Sequence, residues 1–552
     1  MGRPQDALAS LDRALEIDPD CVEAHNNRGN VLRVLKREQE AIESYDRALA
    51  IDPDHPQALN NRGGLLDEMR RYEEALESYG RALELIPAQD FLLGSWMRSK
   101  MRVCDWKDLH LYYSLLVNRI CRGEKVAQPH SVVSLTDSPY LHRKAAETWV
   151  QTMHPALDSL PPISKRPRRD RIRIGYFSAD YYDHATAYLV TELFETHDRA
   201  KFEIVGFSFG PEINDSLSVR IAKAFDRYVD VRSQSDTEIA VLARELGIDI
   251  AVDLKGYTRG SRTGIFAARA APIQVNYLGF PGPLSADYLD YIIADATLIP
   301  ASNRRHFTAK VAYLPDSYQP NDSKRASSKR RYSREELQLP AGAFVYCCFN
   351  NSYKITPRIF ESWMHMLRQV EGSVLWLLED NPKAAANLRA EASAAGVDAG
   401  RLIFAQRIPL SEHLARCAMA DLFLDTLPCN AHTTASDALW AGLPVLTCMG
   451  ESFAARVASS LLKAVYLPEL ITTTQQDYES LAIELATRPE RLKEIRAKLL
   501  RSRLQAPLFD TQRFARNIEQ AYMQMYDRHH ADLPPDHIFV VPKEDAGKHI
   551  QI

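Results

Sequence analysis

A helical repeat array followed by two Rossmann-like α/β halves facing a cleft is the fold class that this 552-residue sequence predicts. Three observations predict it. A period of 34 residues, the length of a tetratricopeptide helix pair, runs through the first 90 residues, so the array is an α-solenoid. After residue 171 the period changes to short β-branched runs alternating with helical stretches, which argues for a parallel sheet with crossover helices. A second set of such runs begins beyond residue 340.

The repeats occupy residues 1–90. Ala7-Leu8 to Ile17-Asp18-Pro19 recurs as Ala41-Ile42 to Ile51-Asp52-Pro53 and as Ala75-Leu76 to Leu85-Ile86-Pro87. Ala24-His25-Asn26-Asn27-Arg28-Gly29 returns as Ala58-Leu59-Asn60-Asn61-Arg62-Gly63. The small Ala and Gly residues let paired helices approach closely, and each Pro stops a second helix. The third cycle degrades, with Ser95 where Asn27 and Asn61 predict Asn, and Met97 in place of Gly. Asn27 and Asn61 have two readings, a concave groove that bonds an extended acceptor peptide or solvated polar positions. The helix Ala7–Ile17 has no preceding partner, so the expectation is either further repeats before Met1 or self-association through its apolar face.

Residues 91–157 read as a helical adaptor and 158–171 as a Pro-rich basic linker. The first α/β half spans 172–317, with strands near Arg173–Phe177, Glu203–Phe207, Ile250–Leu254, Ile273–Leu278 and Tyr291–Ala294. Residues 318–339, with Lys324, Arg325, Lys329, Arg330 and Arg331, read as a solvated basic connector. The second half spans 340–530, with strands near Phe344–Cys348, Val374–Leu378, Leu402–Phe404, Leu422–Asp425 and Pro444–Cys448. It ends in a helix whose stripe Phe514, Ile518, Ala521, Tyr522 and Met525 follows an Asp510 cap and must pack on something, the first half being one option. Residues 531–552 read as a tail.

Composition narrows the class. With 45% hydrophobic and 25% charged residues the chain is an ordinary globular one, and its net charge of −4 gives no global reason to bind nucleic acid or membrane. No segment approaches the roughly 20 apolar residues of a membrane span, and the N-terminus lacks the apolar core of a secretory signal. The eight cysteines show no CxxC spacing and no paired framework, so a reducing cytoplasm is the expected compartment.

Ligands of open parallel sheets bind at the carboxyl ends of the strands. Tyr181-Tyr182-Asp183-His184, Gly256-Tyr257 and Gly279-Phe280-Pro281-Gly282 fall there in the first half, and Asn350-Asn351-Ser352-Tyr353-Lys354 in the second. Pro409-Leu410-Ser411-Glu412-His413 and Cys429-Asn430-Ala431-His432-Thr433-Thr434 join them. The last run leads from a strand into a helix over Ser436–Ala441. The free N–H groups and dipole of a helix start suit a nucleotide diphosphate, and Asp437, one turn further, suits a ribose. The alternative is that Thr433 or Thr434 merely caps the helix.

The strings Phe349 to Lys354, Asp425 to Asp437 and Gly279 to Gly282 resemble the catalytic region of protein O-GlcNAc transferases. The repeat prefix, Cys104-Asp105-Trp106 and Ala441-Gly442-Leu443-Pro444 fit that resemblance, which covers almost the whole chain and is closest to bacterial members. It implies a GT-B fold and inverting transfer of GlcNAc from UDP-GlcNAc to Ser or Thr hydroxyls of proteins. It also implies that His413 stacks near the uracil with Arg416 close by. His432, Thr433 and Thr434 would bind the diphosphate and Asp437 the ribose, with Gly279 and Pro281 in the same nucleotide-sugar site. Asn351 stands where the animal enzymes have Gln, a shortened phosphate contact; Leu410 stands where they carry a nucleotide-contacting Lys. Asp249 lies on a strand that carries a histidine in the animal enzymes and is given little weight.

The departure of UDP puts negative charge on the pyrophosphate, to be offset by a metal or by fixed cations and dipoles. Asp-x-Asp occurs only at the repeat turns Asp18-Pro19-Asp20 and Asp52-Pro53-Asp54, so a metal-independent site with no cofactor is expected, with Lys354 neutralising the leaving phosphate. His184 is either a general base or a residue that orients the sugar. Cys429 reads as structural. The alternatives are a relative using GDP-fucose or a UDP-hexose, and a peptide-binding scaffold with an inactive catalytic half.

Overall fold

The computed structural model describes residues 4–542, so positions 543–552 of the predicted tail lie outside the described residues. Helices Pro4–Ile17, Val22–Val34, Glu38–Ile51, Pro56–Glu68 and Tyr72–Leu85 build the repeat array. Its period is written in its contacts. Arg28 donates to Asp12 Oδ1 at 2.7 Å and to Ser44 Oγ at 2.6 Å; 34 residues on, Arg62 donates to Asp46 Oδ1 at 2.6 Å and to Ser78 Oγ at 2.7 Å. Gly29 and Gly63 lie flat against the rings of Tyr45 and Tyr79, where a Cβ would stand 2.5 and 2.8 Å from ring carbons. The first helix buries only Leu8 and leaves Ile17 86% exposed. After it the helix Leu92–Arg102 starts the adaptor, leaving the repeat period where Phe91 takes a left-handed conformation (φ 59°).

Two parallel sheets follow. The first half supplies β1 (Ile172–Ser178), β2 (Phe202–Ser208), β3 (Arg227–Asp230), β4 (Ile250–Asp253), β5 (Ile273–Asn276), β6 (Tyr291–Asp295) and β7 (Lys310–Leu314). The second supplies β8 (Val345–Cys348), β9 (Val374–Leu378), β10 (Leu402–Ala405), β11 (Leu422–Leu424), β12 (Val445–Cys448) and β13 (Ile471–Thr472). β14 (Ile538–Phe539) then returns to the first sheet beside β7, giving the order β14-β7-β6-β5-β4-β1-β2-β3; the second sheet runs β10-β9-β8-β11-β12-β13. Helices cover both faces, which is why the central strands β4, β5 and β8 are buried at every position.

Three expectations change. The segment 531–552 is not simply a tail, because Ile538 and Phe539 pair with Ala312 and Tyr313 of β7. The segment 318–339 is not simply a solvated connector: Tyr318 to Asp322 and Arg325 are buried between the halves, whereas Lys324, Lys329, Arg330 and Arg331 are exposed. β3, β7, β13 and β14 add strands beyond those read from the sequence. β3 is exposed at three of its four positions and β13 and β14 have two residues each, too short or too wet to show a run.

The terminal helix Thr511–His530 is capped by Asp510, which accepts from Arg513 N at 2.8 Å, and it lays its stripe on the first half. Glu519 Oε1 accepts from His197 Nδ1 at 2.9 Å and from Asp198 N at 2.8 Å, both from the segment after the helix Ala185–Thr196. Tyr522 and Tyr176 of β1 meet hydroxyl to hydroxyl at 3.2 Å. The last helix therefore ties the two halves together. Glu519→Ala leaves two buried donors unpaired; we expect about 3 kcal/mol of lost stability, read as a lower denaturant midpoint.

Candidate active site

The sequence between β11 and the helix Thr433–Trp440 is shaped by one buried carboxylate. Asp425 Oδ1 accepts from the backbone N–H of Thr426 at 2.8 Å and of Ala431 at 2.6 Å, and Oδ2 accepts from Thr447 Oγ1 at 2.6 Å. Thr426 Oγ1 then bonds Cys429 O at 2.7 Å and accepts from Asn350 Nδ2 at 2.8 Å, while Asn430 Nδ2 donates to Thr426 O at 2.8 Å. The loop is thereby closed on itself and aims its end at the cleft. Burial lifts the Asp425 carboxyl to about 6 against the pull of those donors.

The helix that follows begins without a side-chain cap. His432 occupies the N-cap position with no capping bond, so Thr433 and Thr434 are its first helical residues and neither caps it. Its first N–H groups are thus left for a ligand. Beside it, Lys354 is 8% exposed and its Nζ donates to Asn430 O at 2.6 Å. Burial works against the ammonium, but Cys429, Tyr353 and Asp425 outweigh it and hold the pKa above the ordinary lysine value. Cys429 is buried and its thiol is pushed up by that burial, which suits a packing role. His432 is kept neutral by burial and by the Lys354 charge, with Nε2 3.4 Å from Ala454 O.

Across the cleft, His184 caps the helix Ala185–Thr196 by accepting from Thr186 N at 3.2 Å through Nδ1. Burial lowers its pKa, and Lys255 adds to this while Asp180 opposes it. A neutral ring whose Nδ1 accepts an amide carries its proton on Nε2. His184 therefore presents a donor to the cleft, and orienting a substrate suits it better than taking a proton. Behind it the buried pair Lys255 Nζ–Asp180 Oδ2 (2.6 Å) sets the floor, with Asp180 3.5 Å from His184 Nδ1. Gly279 closes that wall at φ +46°, where a Cβ would stand 2.5 Å from Leu254 O and 2.7 Å from Lys255 O.

His184, Gly279, Pro281, Asn351, His432 and Thr433 line one cavity of about 1520 Å³ at the carboxyl ends of both sheets. Thr434 follows on the same helix start. His413 and Arg416 sit together on the helix Leu410–Arg416, whose first residue is Leu410. Arg416 Nε donates to His413 Nδ1 at 3.0 Å, and the His413 ring meets Phe349 edge-on at 5.0 Å. Burial, reinforced by Arg416 and Arg407, brings His413 down to about 3.

Three predicted site residues, Asp437, Asn27 and Asn61, stand differently. Asp437 is already engaged, its Oδ1 accepting from Arg325 Nη1 at 2.7 Å, because the connector expected in solvent is buried here. Asn61 donates to Asn26 Oδ1 at 3.0 Å inside the array and Asn27 is exposed; the cavity reaching the cleft is lined instead by Asn30, Arg33 and Tyr72. Asp249 supports β1 from outside the cavity, accepting from Arg173 N at 2.9 Å. Sequence reasoning missed Arg325, Lys255, Asp180 and Asp425. A charged residue two positions beyond an apolar strand, as Lys255 and Asp180 are, was the available signal; nothing distinguished Arg325 within its basic run. Among the described residues no three His, Cys, Asp or Glu side chains gather as a metal site, and no helix is long and apolar enough to cross a membrane.

Comparison with known proteins adds to this geometry. The model of glycosyl transferase family 41 matches residues 148–329 and 323–518, and tetratricopeptide models match 1–56 and 44–77. A probable UDP-N-acetylglucosamine–peptide N-acetylglucosaminyltransferase, SEC, from Arabidopsis thaliana is 35% identical over 389 residues, 69% of this chain and 40% of that protein. The UDP-N-acetylglucosamine–peptide N-acetylglucosaminyltransferase of Caenorhabditis elegans is 28% identical over 564 residues, 79% of this chain and 49% of its own. The chain thus spans half or less of the length of these curated relatives. A solved structure of a Thermobaculum terrenum O-GlcNAc transferase mutant aligns with a TM-score of 0.73 at 27% identity, covering 96% of each chain.

Gly279→Ala places a side chain against two backbone carbonyls in a left-handed conformation. We expect it to lower stability by about 1–3 kcal/mol, measured by chemical denaturation.

Proposed function

The chain belongs to glycosyl transferase family 41, and from that membership we propose that it is an inverting, metal-independent transferase moving GlcNAc from UDP-GlcNAc to Ser or Thr hydroxyls of proteins. The observation that carries this reading is the uncapped start of the helix Thr433–Trp440 beside the buried Lys354 ammonium. In the displacement, an acceptor hydroxyl attacks the anomeric carbon and the bond to the β-phosphate oxygen breaks with its electron pair. Charge then grows on the pyrophosphate, where Lys354 Nζ and the first N–H groups of the helix meet it without reorganisation. The hydroxyl proton leaves to water or to a phosphate oxygen, since His184 is arranged as a donor. His413, Arg416 and Phe349 hold the base side, and Asp437 takes the ribose while keeping Arg325.

The relatives support both substrates: those from A. thaliana and C. elegans are named for GlcNAc transfer to peptides, and the T. terrenum enzyme is named an O-GlcNAc transferase. The repeat array leads into the cleft through Asn30, Arg33 and Tyr72, which suits a protein acceptor. The eight free cysteines support a cytoplasmic setting.

Three measurements test this. Lys354→Ala should lower kcat by about 10²–10³, roughly 2.7–4 kcal/mol, with the protein still folded by circular dichroism at the assay temperature; full activity would contradict the mechanism. His432→Ala should weaken UDP binding in calorimetry, and the parent protein should prefer UDP to GDP; equal affinities would point to another donor. Burial lifts the Asp437 carboxyl to about 6, with Arg325 opposing, so its ionised, accepting form is lost as pH falls through that value. UDP affinity should therefore drop from pH 7 to 5.5 in the parent protein, and this component should be missing from Asp437→Asn.

A further inference from the structure

The cavity that holds His184 and His432 continues along the helix Leu92–Arg102, the element between the repeats and the catalytic halves. On that wall Arg98 has no hydrogen bond, and its Nε is sealed from solvent without a partner. The carboxylate nearest in the network, Asp67, is already used: it accepts from Ser99 Oγ at 3.1 Å and lies 3.4 Å from Arg102 Nε. His130, on the short helix Pro129–Leu135, lines the same cavity; its Nδ1 is buried without a partner, and its ring lies 6.2 Å from Tyr353 and 6.5 Å from Phe280. Arg102 stacks its guanidinium 5.5 Å from the Tyr353 ring, and its Nε also lacks a hydrogen bond.

The other acids on this wall are committed. Glu68 pairs with Arg33, Asp380 with Arg407 at 3.0 Å and Asp180 with Lys255 at 2.6 Å. A guanidinium Nε sealed from water without an acceptor is a cost that folded proteins rarely carry for no return, since buried N–H groups nearly always find one. Burial first, and then the charges of Arg98, Arg102 and Lys354, keep His130 neutral.

Asn30 and Tyr72 of the repeats, Arg98 and His184 all line this one cavity, so a chain laid from the array to the cleft shares it with this cluster. We propose that Arg98, assisted by Arg102 and His130, is a subsite for a carboxylate side chain of the acceptor, a few residues from the hydroxyl that receives the sugar. The inference rests on the reading of the ligand as a peptide acceptor, and it narrows the acceptor class to Ser- or Thr-containing segments with a neighbouring Asp or Glu.

The test uses the full chain saturated with UDP and labelled Ser peptides that differ only by Glu or Gln, scanned through each position on both sides of the Ser. Fluorescence anisotropy should show one position at which Glu binds about tenfold tighter than Gln, the size of one charge-assisted hydrogen bond. In Arg98→Met that preference should fall within about twofold while UDP affinity is unchanged, and the thermal midpoint without peptide should rise because an uncompensated charge is gone. Equal binding of Glu and Gln peptides at every position overturns the subsite using the parent protein alone, and an intact preference in Arg98→Met overturns it as well. Sugar transfer followed in the same samples separates the two claims. Selective binding without transfer upholds the subsite and removes the transferase reading; transfer without selectivity does the reverse.

Discussion

The hydrogen bond from Lys354 Nζ to the carbonyl of Asn430 at 2.6 Å, beside the one from Asn350 Nδ2 to Thr426 Oγ1, joins the loop after β8 to the loop after β11. It fixes a buried ammonium beside an uncapped helix start, two sources of positive potential from different strands of one sheet. Neither would be effective alone, because a lone lysine on a loop loses its direction and a lone helix start carries only a partial charge. Much of the second half serves to hold this arrangement. Asp425 ties the β11 loop to its own backbone and to Thr447 of β12, and Tyr478 donates to Asp425 O at 2.9 Å from the helix Gln475–Thr487.

The first half meets this cradle as a wall rather than as a second source of charge. Its buried cation on the cavity wall, Lys255, is paired with Asp180 at 2.6 Å. His184 is held by the helix it caps. The adaptor reaches the cradle directly: Ser352, next to Tyr353 and Lys354, donates to Arg102 O at 2.5 Å, and Asn381 donates to the same carbonyl at 2.8 Å. The repeat side is thereby in contact with the loop that carries Lys354.

Much of this was legible in the sequence because parallel strands and repeats leave strong periods. The 34-residue cycle is repeated bond for bond by Arg28 and Arg62, and the buried runs of β1, β4, β5 and β8 read as strands at once. The loop positions at strand ends were legible for the same reason. What stayed hidden depends on contacts distant in sequence. Arg325 looks like its neighbours until Asp437, 112 residues away, is brought against it. β14 is two residues that mean nothing without β7, and Asn61 is taken up by a hydrogen bond to Asn26 of the previous repeat.

The structure of the protein bound to UDP tests the central claim most directly. We expect the β-phosphate within about 3 Å of Lys354 Nζ and of the first backbone N–H groups of the helix Thr433–Trp440, with no ion between them. Phosphates lodged elsewhere in the cleft, or bridged to the protein by a metal, would contradict it.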